Sequence, residues 1–116
     1  MQKLDPEYVR IDKRGQLIQI SSGVWKQINY LNIKKDKSFG GHYHKHKREL
    51  FYVIDGFISV TIVNMKNKQA TKMYFGGNKC FIIEPYEKHT IYNEAEKDSR
   101  LIELLSKPYS KEDTYE

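Results

Sequence analysis

The chain has little of several features that would classify it at once. Cys80 is its only cysteine among 116 residues, so no internal disulfide can form. No segment is apolar for long enough to span a membrane, and residues 1–6 lack the apolar core of a signal peptide. No nucleic-acid-binding motif occurs, and acidic residues are interleaved with the basic ones despite a net charge of +5. We therefore expect a soluble cytoplasmic protein that binds neither nucleic acid nor membranes.

Helical periodicity is also missing, because no window carries a convincing stripe of apolar residues at positions i, i+3 and i+4. The apolar residues fall instead in short runs rich in isoleucine, valine and tyrosine, which favour strands. Residues 57–63 alternate between apolar and polar side chains, whereas residues 50–54 are wholly apolar, as in a strand that is covered on both faces. The predicted strands are residues 17–20, 24–33, 50–54, 57–63, 70–75, 79–83, 89–93 and 100–105. Short strands between regular turns predict an all-β sandwich or barrel.

The length of 116 residues suits a single domain with one core. We predict a folded core over about residues 15–106. The charged, tyrosine-bearing tail at 107–116 should lie over the surface or across a partner subunit.

A histidine cluster carries the chemistry. His42, His44 and His46 fall within five residues, Glu49 follows, and His89 comes later. Alternate side chains of a strand share a face, so His42 and His44 can point into one pocket, while Glu49 can join them only across a turn. Imidazole and carboxylate groups bind zinc, iron, manganese or nickel. The cluster therefore predicts a metal site or a histidine acid/base site, with His46 as an exposed bystander.

Several neighbouring residues have ordinary interpretations. We expect Lys45, Lys47 and Arg48 to form a charged, solvated loop. Cys80 should be a buried thiol within a strand. Gly56 should occupy a turn that needs a positive φ angle.

The spacing of the cluster resembles the cupin family. Its first motif matches a His-x-His pair at His42, a glutamate at Glu49 and a glycine at Gly56, and its second matches the segment from Pro85 through His89 to Asn93. This resemblance implies a double-stranded β-helix, which is a jelly-roll barrel. It also implies a divalent transition metal, with iron, manganese, nickel and zinc all open. The implied metal ligands are His42, His44, Glu49 and His89.

Three further segments are similar to cupins that act on nucleotide-linked sugars. Residues 12–17 resemble the opening of such enzymes, residues 40–45 resemble the motif of sugar 3,4-ketoisomerases, and residues 111–115 resemble the end of cupin domains attached to capsular-sugar reductases. The ketoisomerases are thought to use histidine acid/base chemistry without a metal. This chain departs from them by keeping Glu49 and His89.

These resemblances imply an isomerase or epimerase that transfers a proton next to the carbonyl of a nucleotide-linked keto-sugar. His42, His44 and Tyr30 are the candidate catalytic residues. The candidate substrate-binding residues are Arg14, Lys26 and Tyr52, and we expect a homodimer. Two alternatives stay open: a non-catalytic cupin that binds a ligand or metal, and an iron-dependent cupin dioxygenase that uses the same four ligands.

Overall fold

The computed structural model describes all of residues 1–116 and contains eleven β-strands with no α-helix. The strands are β1 (Gln2–Leu4), β2 (Tyr8–Asp12), β3 (Gly15–Gln19), β4 (Gln27–Ile33), β5 (Ser38–His42), β6 (Glu49–Asp55), β7 (Phe57–Asn64), β8 (Ala70–Gly76), β9 (Cys80–Ile83), β10 (Glu87–Asn93) and β11 (Ser99–Leu105). One short 3₁₀ turn, Lys111–Asp113, lies in the C-terminal tail. No helix is long and apolar enough to cross a membrane.

Two antiparallel sheets form the body of the protein. One has the strand order β1-β9-β6-β11-β4 and the other has the order β5-β10-β7-β8, while β2 and β3 form a separate hairpin. Sequence neighbours such as β4 and β5 lie in different sheets, as in a jelly roll. The predicted all-β jelly-roll architecture is confirmed.

The core lies between the two sheets and explains the wholly apolar run in β6. Phe51 and Val53 point inward to the main cluster of eleven buried apolar side chains. Leu50 points the other way, where it packs with Ile82 and Leu104 beneath partly buried side chains that include Trp25. Burial on both faces is what the continuous apolar pattern predicted.

The turn between β6 and β7 requires glycine. Gly56 has a φ angle of +99°, and a Cβ atom there would lie 2.1 Å from the Ser99 hydroxyl oxygen. That hydroxyl donates to Asn93 Oδ1 at 2.7 Å, and Asn93 Nδ2 in turn donates to the carbonyl oxygen of Ile33 at 2.9 Å. Asn93 of the second sequence motif therefore stabilises the fold and lies outside the pocket.

The C-terminal tail folds back onto its own chain. Tyr43 and Tyr115 form an isolated antiparallel bridge, with N–H···O distances of 2.9 and 3.0 Å between their backbones. Their rings also stack, with centroids 5.4 Å apart. The tail thus lies over the surface, beside the segment that carries the histidine cluster.

Candidate functional site

A pocket of about 230 Å³ opens between the two sheets beside the histidine cluster. The inner face of the five-stranded sheet lines one wall, and β5 with β10 lines the other. The wall residues are Gln27, Asn29, Leu31, Glu49, Phe51, Glu103 and Leu105 on the first side, and Phe39, Gly40, His42, His89 and Ile91 on the second; His44, Lys47 and Tyr109 complete the lining from the loop and tail.

Strand pairing brings the three imidazoles together. His42 ends β5 directly opposite His89 on β10, so both side chains project from the same face of the sheet. The ring centroids of His42 lie 5.2 Å from His44 and 5.1 Å from His89, and those of His44 and His89 are 6.2 Å apart. Close approach of the two strands depends on Gly40, where a Cβ atom would lie 2.4 Å from the carbonyl oxygen of His89.

Backbone carbonyls orient two of these rings. His44 Nδ1 lies 2.7 Å from the carbonyl oxygen of Asp113, and His89 Nδ1 lies 3.0 Å from that of Glu87. A carbonyl oxygen can only accept, so the Nδ1 atom of each ring is the donor in this contact. Each Nε2 atom then faces the Glu49 carboxylate.

Glu49 is the fourth member of the cluster. Its side chain is buried, with only 2% of it exposed. Its Oε1 atom lies 3.0 Å from His44 Nε2 and 3.6 Å from His89 Nε2, yet it has no partner with hydrogen-bond geometry. Donor atoms that share a metal at roughly 2.1 Å lie about 3.0 to 3.4 Å from one another. The donor types therefore suit a divalent transition metal, and the separation of Glu49 Oε1 from His44 lies within this range, whereas that from His89 lies outside it. No three of the side chains already stand at coordinating positions, so metal binding would require them to rearrange.

Electrostatics favour a neutral His42. Burial lowers its pKa, and positive charge on His89 or His44 lowers it further. A neutral imidazole at physiological pH can accept a proton, so His42 is suited to act as a general base.

Two carboxyl groups share the pocket floor in different protonation states. Burial alone would raise the pKa of Glu49, but its contacts with His44 and Glu103 outweigh burial and lower that pKa to about 2. Burial and the hydrogen bond to Glu49 raise the pKa of Glu103 to about 8. At neutral pH Glu49 is therefore ionised, while Glu103 is protonated and also accepts a hydrogen bond from Asn29 Nδ2 at 2.9 Å.

The structure brings together the four predicted metal ligands and separates the other candidates from them. Tyr30 is 59% exposed on the outer face of β4, because the inner face holds Gln27 and Asn29. The Tyr52 hydroxyl donates to Asn78 Oδ1 at 2.6 Å, away from the pocket.

The two predicted substrate-binding cations also lie outside this pocket. Lys26 is exposed next to β4, and Arg14 is exposed at the hairpin turn, where its guanidinium lies 2.7 Å from the Asp12 carboxylate. His46 is exposed in the loop before β6, as predicted.

Seven polar or aromatic pocket residues were not predicted as site residues: Gln27, Asn29, Phe39, Lys47, Phe51, Glu103 and Tyr109. The alternation of side chains along an extended segment could have indicated Lys47, because it lies two residues before Glu49 and four before Phe51, which face inward from β6. The prediction of a solvated loop is wrong for Lys47, whose side chain is buried.

The chain has the jelly-roll fold of the cupins, and its pocket holds the three histidines and the glutamate that this resemblance implied. Residues 10–115 match the family described as the polysaccharide biosynthesis C-terminal domain, and the chain belongs to that family. Comparison with curated protein sequences finds no match.

Solved structures with the same fold include enzymes of sugar metabolism. A 3,4-ketoisomerase from Helicobacter canadensis is 20% identical, with a TM-score of 0.84 over 97% of this chain and 87% of that one. A histidine-to-asparagine mutant of the 3,4-ketoisomerase QdtA from Thermoanaerobacterium thermosaccharolyticum, solved in complex with TDP-4-keto-6-deoxyglucose, is 18% identical, with a TM-score of 0.83 over 97% and 83%.

The capsular polysaccharide assembling protein CapF from Staphylococcus aureus is 22% identical, with a TM-score of 0.71 over 93% of this chain. The chain spans about a third of the CapF chain, 33% of its length. At these identities the likeness shows the fold.

Proposed function

We propose that this protein is an isomerase or epimerase that transfers a proton next to the carbonyl of a nucleotide-linked keto-sugar. One observation carries the proposal: three imidazoles converge in one pocket, and the Nδ1 atoms of His44 and His89 are held by backbone carbonyls. The sugar 3,4-ketoisomerases with the same fold support the substrate class.

The chemistry follows from the protonation states. Neutral His42 removes a proton from the carbon next to the keto group, leaving an enolate. Return of that proton to the other face of the same carbon gives the epimer. Its return to the former carbonyl carbon, with the proton of the adjoining hydroxyl moving to the former carbonyl oxygen, gives the isomer. His44, with its ring fixed by Asp113, is the second proton-transfer group.

Pocket size indicates which part of the ligand enters. A volume of about 230 Å³ lies below the range of roughly 300 to 1,000 Å³ that is typical of sites enclosing a drug-sized ligand. We infer that the sugar ring occupies the pocket and that the nucleotide lies outside it.

As an alternative use of the same residues, we propose that His42, His44, Glu49 and His89 hold a divalent transition metal, in which case the metal-bound imidazoles would not act as the proton-transfer groups. Such an ion would polarise a carbonyl oxygen when bound. Elemental analysis of protein purified without added metal tests this proposal. We expect one equivalent of metal in the wild type and a large loss in Glu49→Gln, with His46→Gln as the matched control. A metal-free wild type would contradict it.

Solvent exchange tests the reaction. The protein is incubated with TDP-4-keto-6-deoxyglucose in deuterium oxide, and the sugar protons next to the keto group are followed by NMR. We expect their replacement by deuterium, a loss of at least about 100-fold in His42→Gln, and wild-type rates in His46→Gln. Tight binding without exchange would indicate a non-catalytic module. Absence of both would rule out this substrate class.

We also propose a homodimer, because the β2–β3 hairpin leaves apolar side chains uncovered. It pairs with no other strand, and Ile11 on it is 74% exposed. On edge strand β4, Ile28 is 69% exposed. Size-exclusion chromatography with light scattering should give a dimer for the wild type. Ile11→Lys should weaken it and Lys13→Glu in the adjoining turn should not; a wild-type monomer would contradict the proposal.

A further inference from the structure

Lys47 has a side chain that the fold buries but does not pair. The residue is 3% exposed, and its Nζ atom is fully buried without a hydrogen-bond partner. No carboxylate lies within salt-bridge distance of it, although Glu49 and Glu103 line the same pocket. Buried ammonium groups in proteins are normally paired, because an unpaired one loses its hydration without compensation.

The local fold turns this one lysine of the loop inward. Lys47 precedes β6 by two residues and so continues the inner row that contains Glu49 and Phe51. Its neighbour Arg48 points outward, where Nε donates to Glu84 Oε1 at 2.8 Å. The ring of Tyr109, from the tail, covers the ammonium with its centroid 5.4 Å from Nζ.

The surroundings of the ammonium explain why it needs an external partner. The Tyr109 ring supplies some cation–π attraction, but it cannot accept the three hydrogen bonds that an ammonium can donate. Those donors lie in the same pocket as His42 and His44, the proposed proton-transfer groups. A ligand oxygen that bears negative charge would satisfy them.

We propose that Lys47 is an oxyanion-binding catalytic residue of this pocket: its ammonium contacts the carbonyl oxygen of the ligand and binds the negative charge that grows there as the proton leaves the neighbouring carbon. The enolate part of this assignment rests on the proposed function. The preference for an oxygen anion rests on the buried, unpaired cation alone.

Substitution by methionine tests the proposal, because it keeps the length of the side chain and removes the charge. We expect Lys47→Met to lower kcat for TDP-4-keto-6-deoxyglucose about 100-fold and to leave KM within a few-fold of wild type, since charge that exists only in the transition state affects kcat. The matched control is Lys45→Met, which changes a lysine of the same loop outside the pocket and should keep wild-type kcat.

Stability separates this role from a structural one. Removing an unpaired buried charge should leave the melting temperature of the ligand-free protein unchanged or raise it, whereas removing a structural contact should lower it. A kcat of Lys47→Met equal to that of Lys45→Met overturns the proposal, and so does a melting temperature well below that of wild type, which would assign the side chain a structural role.

If the wild type does not process the sugar, binding of a small anion still tests whether Lys47 forms an anion site. Acetate titrations followed by thermal shift should raise the melting temperature of the wild type and of Lys45→Met, but not that of Lys47→Met. An inactive wild type with this acetate pattern removes the proposed function and keeps the anion site. An inactive wild type with equal acetate shifts in all three proteins removes both. An active wild type with an equally active Lys47→Met removes the role of Lys47 alone.

Discussion

Replacement of Asp113 by alanine tests how the tail builds the site. The Asp113 carboxylate accepts hydrogen bonds from the backbone N–H of Lys45 at 2.9 Å and of His46 at 3.2 Å, and its carbonyl oxygen faces His44 Nδ1. Loss of a capping carboxylate typically costs about 0.5 to 2 kcal/mol. Two charge-assisted bonds to a half-buried group place Asp113→Ala at the upper end, about 2 kcal/mol, or about 8 °C in a protein of this size.

Thermal denaturation and nitrogen NMR of the imidazoles measure the two consequences. Asp113→Ala should melt about 8 °C below wild type and lose the fixed Nδ1–H form of His44. The melting temperature of Asp113→Asn should lie between those of Asp113→Ala and wild type, because the asparagine side chain keeps one acceptor oxygen. Glu112→Ala is the control, since Glu112 accepts only from the Ser110 hydroxyl next to it. If Asp113→Ala melts like Glu112→Ala and its His44 signals are unchanged, the tail does not orient that ring.

Two further predictions concern the scaffold. Gly56→Ala should destabilise the protein by at least about 3 kcal/mol in urea denaturation, because it combines a positive φ angle with overlap on Ser99. Adding Ser99→Ala should not restore stability fully, since the backbone strain remains and the new Cβ atom would still lie 2.6 Å from Cβ and 2.7 Å from Cα of residue 99; full restoration would contradict this account. Burial raises the pKa of Cys80 to about 11 from 9.0, so the fold favours the neutral thiol. Its stabilising contribution is complete below pH 9 and is lost as the pH rises towards 11, by about 2 to 3 kcal/mol. Unfolding free energies of wild type and Cys80→Ala should therefore converge over that range, and a constant difference would contradict the burial effect.

Eight of the eleven strands were predictable from local pattern, whereas β1, β2 and β5 were not predicted. The alternation in β7 and the continuous apolar run in β6 follow directly from which faces those strands bury. The spacing of His42, His44 and Glu49 could be interpreted because a strand followed by a turn leaves few ways to orient them. His89 completed the set through its motif, and the antiparallel pairing of β5 with β10 is what makes that motif work.

The tail and the loop before β6 could not be predicted in the same way. The position of Asp113 under the histidine loop depends on contacts between residues nearly 70 positions apart, and short polar segments carry no periodicity that would reveal such contacts. The inward turn of Lys47 opposes its hydrophilic character. A polar residue on a buried row is the kind of local conflict that folded proteins keep at functional sites.

Strand β4 explains why Tyr30 lies outside the pocket although it was predicted as a catalytic residue. The first half of the strand has an inverted alternation: the apolar Ile28 and Tyr30 face outward, while the polar Gln27 and Asn29 face the pocket. Further along, Leu31 faces inward as usual. Polar side chains on the inner face make sense if the pocket takes a polar ligand such as a sugar. Apolar side chains on the outer face make sense if a second copy covers them. The inverted part of β4 therefore supports both the proposed sugar-binding pocket and the proposed homodimer. Sequence alternation alone could not show this, because it does not reveal which face of a strand lines a pocket and which face a partner covers.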